Sequence, residues 1–165
     1  MMLNTRTIRT LLVLLVVTAP LLLPAQKAAT GKYKCMVQMT NYMGEGAYIV
    51  VSLINSKGAY EKTLYVMGDD KQWYKTLKEW HKFYASRPAN ISAVTGASVA
   101  GGDRSVTVLE IESGKINNGY SLRFETAVED KEYYVKDLEV PLTTEGLSGK
   151  TDGTGYIRYV RFTQN

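Results

Sequence analysis

Apolar and polar residues alternate with period two along much of this chain. In "KYKCMVQMT" Tyr33, Cys35, Val37 and Met39 fall on one face, the pattern of a strand with one buried side. "AYIVVSLI" is more continuously apolar, as a strand covered on both faces would be. "YEKTLYVM" follows it after an "NSKGA" turn, so 47–54 and 60–67 read as a hairpin. "SVTVLEI", "YSLRFETAV", "EYYVKDLEV" and "GYIRYVRF" supply four further strands. In the second of these Tyr120, Leu122 and Phe124 share a face, and in the last Tyr156, Arg158, Val160 and Phe162 oppose Ile157, Tyr159 and Arg161. About seven strands punctuated by Gly and Asn turns predict a mainly β fold. The expected form is an immunoglobulin-like β-sandwich with one inserted α-helix.

The helix is "DDKQWYKTLKEWHKFYAS". Trp73, Leu77, Trp80 and Tyr84 recur at helical spacing and form one stripe. Asp69 is placed to cap it, with Gln72 three residues on, and Pro88 lies just past its end. Capping explains Asp69 and Asp70 more simply than a metal-binding pair does. The stripe reads as core packing rather than a cofactor box. "TTEGLSGKTDGTG" (143–155) reads as a polar, mobile, Gly-rich loop.

Residues 1–26 stand apart from this pattern. Arg6 and Arg9 precede an apolar run broken by Pro20, and Ala25 offers a small residue for cleavage. This predicts a cleaved secretory signal peptide and an extracytosolic, periplasmic or secreted protein. It leaves 27–165 as a single domain. Setting aside the two leader arginines lowers the net charge from +4 to +2. Basic and acidic residues alternate, so no basic patch points to nucleic acid. One cysteine excludes an internal disulfide framework. With one Cys and one His, a zinc-type site lacks ligands. His81 is the only histidine on which a Ser/His/Asp hydrolase could be built, and a lone His at a helix surface is ordinarily structural.

The remaining chemistry lies in "NISAVTGASVAGGDR" (90–104). "NIS" is an N-glycosylation pattern, and the stretch also reads as a plain Gly-rich connector. Within it, "SAVTGAS" resembles the target of bacterial flavin transferases, Asp-x-x-Ser/Thr-Gly-Ala-Thr/Ser. Those enzymes join FMN through its phosphate to the last hydroxyl, outside the cytoplasm. Thr95, Gly96, Ala97 and Ser98 match, with Ser98 in the acceptor position and Thr95 as the fallback. Ser92 stands where the motif has Asp.

The chain as a whole resembles a bacterial periplasmic family of unknown function, the one numbered twenty-two seventy-one. The resemblance is carried by "TLYVMG" (63–68), the Trp73/Leu77/Trp80 helix, "SAVTGAS" (92–98) and "GYSLRFE" (119–125). It spans roughly Tyr33 to Phe162. It implies an exported electron carrier with covalent FMN, accompanied by a flavin transferase and a PepSY-type membrane reductase. Small neighbours at Gly96 and Ala97 admit a nucleotide. Backbone N–H groups of "AGG" (100–102) and Arg104 are candidate phosphate contacts. Trp73 and Trp80 are candidate shields for the flavin ring. The rival expectation is a cofactor-free, immunoglobulin-like binding or assembly module.

Overall fold

The computed structural model describes residues 29–164; the leader expected at 1–26 lies outside them. Two sheets face each other. The first has the order β5-β1-β9-β8, formed by β1 (Thr30–Met39), β5 (Arg104–Glu112), β8 (Lys150–Asp152) and β9 (Ile157–Gln164). The second has the order β4-β3-β2-β6-β7, formed by β2 (Tyr48–Ile54), β3 (Tyr60–Met67), β4 (Thr95–Gly96), β6 (Ser121–Ala127) and β7 (Tyr133–Pro141). The protein is therefore a β-sandwich. β4 and β8, two and three residues long, are additional to the expected strands. The strand order departs from the immunoglobulin arrangement. There the first strand pairs with the second, whereas here β1 lies between β5 and β9 and shares no ladder with β2.

The period-two faces pack as their pattern demands. Cys35, Val37 and Met39 of β1 meet Ile49, Val51 and Leu53 of β2 in one core, with Leu109, Ile111, Leu122, Phe124, Val160 and Phe162. The continuous apolar run of β2 also has its physical reason. Val50 points to the other side of the second sheet, into a smaller cluster with Val66, Ala127, Tyr74, Leu77, Trp80 and Ile91. The helix roofs that side, so β2 is buried on both faces.

Three local expectations are corrected. The helical segment is divided into a 3-10 turn, Lys71–Thr76, and an α-helix, α1, Lys78–Ser86. Residues i and i+3 eclipse in a 3-10 turn, so Tyr74, Leu77 and Trp80 form the buried line and Trp73 is left half-exposed. Asp70, not Asp69, is the cap: its carboxylate accepts from the Gln72 backbone N–H at 3.0 Å. In β9 the alternation slips, with Ile157 and Val160 both buried and Arg158 exposed. The ladder to β1 shifts register between Gln38 and Met39, which accommodates the extra residue as a bulge.

The segment 143–155 is ordered where a mobile loop was expected. Leu147 is buried and Lys150–Asp152 pairs with β9. What holds it is Asp137, a fully buried carboxylate on β7. It accepts from the backbone N–H groups of Thr154 (3.0 Å), Gly155 (2.8 Å) and Ile157 (2.9 Å) and from the Thr126 hydroxyl (2.8 Å). A Cβ on Gly153 would come within 2.7 Å of that carboxylate and one on Gly155 within 2.9 Å. "DGTG" is thus a chain reversal pulled onto a buried anion, and it joins the second sheet to the start of β9 in the first.

Candidate functional site

The stretch 90–104 crosses the sandwich edge as a pinned segment. Ser92–Val94 forms a 3-10 turn. Thr95 and Gly96 then pair in parallel with Val66 and Met67 of β3, and the Gly68 N–H donates to the Gly96 carbonyl at 2.6 Å. Three residues on, Val99 and Ala47 exchange both backbone hydrogen bonds, at 2.8 and 3.1 Å. The Tyr42 hydroxyl adds a bond to the Val99 carbonyl at 2.6 Å and accepts from the Ala47 N–H at 2.8 Å. Ala97 and Ser98, between the two anchors, are exposed. A plain flexible connector would not be tied on both sides of its hydroxyl.

Ser98 stands on the rim of a cleft of about 150 Å³. Glu45, Gly46 and Tyr48 line it from the segment entering β2, Trp73 and Thr76 from the 3-10 turn, and Ala127 and Glu129 from the end of β6. The glycine at 46 lets the two segments approach closely, since a Cβ there would lie 2.5 Å from Ser98 Oγ and press on that side chain. Gly68 is required beneath, where its positive φ of 134° and the Tyr48 ring packed against it leave no room for a side chain. The cleft therefore combines one free hydroxyl, two aromatic side chains and two carboxylates.

The sequence-predicted residues do not all converge here. Ser98 and Trp73 share the cleft. Thr95 is half-buried and its hydroxyl donates to the Ile91 carbonyl at 2.8 Å. Gly96 lies over the Tyr65 hydroxyl, 2.7 Å from where its Cβ would be. Trp80 does not line the cleft. It is fully buried, donates from Nε1 to Thr63 Oγ1 at 2.8 Å and stacks on Tyr84 at 5.0 Å between ring centres. Arg104 is also elsewhere, bonded through Nε to Gln38 Oε1 at 3.1 Å. In the 100–102 stretch the Gly102 N–H donates to the Thr40 carbonyl, and the neighbouring Asp103 N–H to Ala100. The Gly102 N–H is thus committed to the chain rather than offered to a phosphate. His81 is a half-buried helical residue outside the cleft. Among the described residues no cluster of three His, Cys, Asp or Glu side chains is placed to hold a metal.

Residues 30–159 match the model of a family described as a predicted periplasmic protein, DUF2271. The chain belongs to that family. Membership bears out the resemblance read from the strand, helix and "GYSLRFE" segments, and the family's description sets the protein outside the cytosol. No curated protein and no solved structure matches the chain. Among the described residues no helix is long and apolar enough to cross a membrane.

Sequence reasoning missed Tyr48, Gly46, Glu45, Thr76 and Glu129 as cleft residues. The signal available was "GEGAY", where a glycine directly before a buried strand marks a close approach. Family membership also draws attention to Glu125, the last residue of "GYSLRFE". It is fully buried. Its carboxylate accepts from the Tyr60 hydroxyl, from the Tyr133 hydroxyl at 2.6 Å and from the Trp80 backbone N–H at 3.1 Å. The Tyr133 hydroxyl in turn accepts from the Glu79 N–H at 2.9 Å. Burial raises the Glu125 pKa above the ordinary glutamate value despite these donors. Glu125 and Tyr133 cap α1 from the sheet, since Leu77 at its start has no side-chain cap to give.

Proposed function

We propose that this protein carries FMN joined through its phosphate to Ser98 and relays electrons outside the cytoplasm. The observation that supports it is the presentation of Ser98. It is an exposed hydroxyl between two backbone anchors, packed close against Gly46, on the rim of a cleft shared with Trp73 and Tyr48. Thr95 is the weaker acceptor because its hydroxyl already serves Ile91.

The residues fit the attached group at its attachment point. Ser98 Oγ gives up its proton and displaces a nucleoside monophosphate from a flavin dinucleotide, forming one phosphoester bond. A transferase must supply the dinucleotide and the base. A phosphate at the exposed rim stays solvated and screened, whereas one drawn inward would meet Glu45 and Glu129. The cleft is smaller than the several hundred Å³ usual for a cofactor site, so it takes only part of the group. Trp73 and Tyr48 are the residues available to shield it. FMN supplies the redox chemistry when attached. A flavin transferase and a PepSY-type membrane reductase are the partners this reading requires.

Co-expression with a flavin transferase followed by intact mass measurement tests it. The wild type and Thr95→Ala should each gain the mass of one FMN, and Ser98→Ala should gain none. No gain in the wild type, or an equal gain in Ser98→Ala, would overturn the proposal.

A further inference from the structure

β5 is an edge strand. Over nine residues it pairs with β1 on one side without a bulge, and among the described residues no strand pairs with its other side. Edges are commonly blunted by Pro, a bulge or a central Lys, and β5 has none of these. Its outward positions are Arg104, Val106, Val108 and Glu110, while Thr107, Leu109 and Ile111 face the core. Val106 is 55% exposed and Val108 43%, two of the few large apolar side chains left in solvent.

These outward residues are complementary to themselves when the strand is read antiparallel. About a two-fold axis at Thr107, Arg104 faces Glu110 of a second copy and Val106 faces its Val108. Each pairing occurs twice, and every outward pair is favourable. Moving the axis to Val108 would set Val106 against Glu110, and moving it to Val106 would set Arg104 against Val108. Of these three registers only the one about Thr107 gives favourable pairs at Arg104, Val106, Val108 and Glu110 together. Within one chain Arg104 contacts Gln38, and Glu110 meets Lys32 at 3.8 Å with both side chains more than 60% exposed. Such exposed contacts are weak and exchange readily.

We infer that β5 pairs with β5 of a second copy, antiparallel about Thr107, joining the two first sheets into one continuous sheet. The partner is this same chain, and the inference is independent of any group on Ser98. One strand edge buries less than the roughly 1,200 Å² of a standard interface, so the dimer is reversible and concentration-dependent.

Sedimentation velocity on exported protein carrying Ser98→Ala tests it, from about 10 μM to about 1 mM, the range for weak interfaces. A monomer–dimer equilibrium is expected. Val108→Lys should weaken it at least about tenfold, because each substitution acts twice at a two-fold interface. Arg104→Glu should weaken it several-fold, and Arg104→Glu with Glu110→Arg should restore it. Thermal melts establish that each variant is folded. A monomer at every concentration would overturn the inference and leave the edge to an extended segment of a different partner. A dimer indifferent to Val108→Lys and to the charge reversal would overturn it too.

Discussion

At the scale of single residues, two buried carboxylates do structural work that the sequence pattern hides. Asp137 and Glu125 sit on strands that otherwise read as ordinary alternation. The reason each is tolerated in the core is that backbone and hydroxyl donors surround it. Asp137→Asn keeps the shape but turns one acceptor oxygen into an N–H₂ group facing N–H or O–H donors. The expected loss is about 3 kcal/mol or more of unfolding free energy in urea, with β8 and the 153–156 turn losing amide protection first. A loss below 1 kcal/mol would show that the clamp is not needed. Little of this was legible beforehand. The donors to Asp137 come from residues 11 to 20 positions away, and period-two reading sees only neighbours. Glycines at 153 and 155 were visible, but glycine is equally consistent with a mobile loop and a tight one. The buried anion decides between them.

At the scale of elements, α1 depends on the sheet beneath it more than on its own sequence. Nine residues with no local N-cap make a marginal helix. It is held by Trp80 and Leu77 packed on Val50 and Val66, and by Glu125 and Tyr133 serving its first N–H groups. Trp80→Ala should cost about 3–5 kcal/mol. The pH dependence follows from the direction of the Glu125 shift. Its folded pKa lies above its unfolded one, so the folded state binds the proton more tightly. This contribution is fully present below the unfolded glutamate pKa and is lost as pH rises through the folded value. Measured against Glu125→Gln, in which other carboxylates cancel, the wild type should gain relative stability as pH falls from 7 toward 4.5. A wild type that loses stability relative to Glu125→Gln as pH falls over that range would contradict the assignment. The helix was legible as an element because its aromatic stripe is strong. Its phase was not, because a 3-10 turn rotates Tyr74 inward and Trp73 outward. That single rotation is what brings Trp73 to the Ser98 cleft and keeps Trp80 from it.

At the scale of the whole molecule, a three-layer arrangement emerges from two kinds of periodicity. Strand alternation gave the facing sheets, and the unbroken apolar run of β2 announced the second covering layer. Strand order was not readable, because antiparallel strands with similar alternation can be placed beside several partners and nothing local distinguishes them. The candidate site was legible at its hydroxyl and at Trp73, and illegible in the rest of its walls, which come from three segments distant in sequence from Ser98. The core also contains Cys35, completely buried between β5 and β9 with its thiol pKa pushed up by that burial. It is the one cysteine of the sequence, in a protein whose family is described as periplasmic. Its modification by a thiol reagent should proceed only through opening of the central ladder, at a rate that falls with each added kcal/mol of stability. Labelling faster than unfolding measured by fluorescence would contradict this. The sulfur is thus a natural clock for the life of the native state, and its silence lets the chain pass through an oxidising compartment with no need of the enzymes that make and sort disulfides.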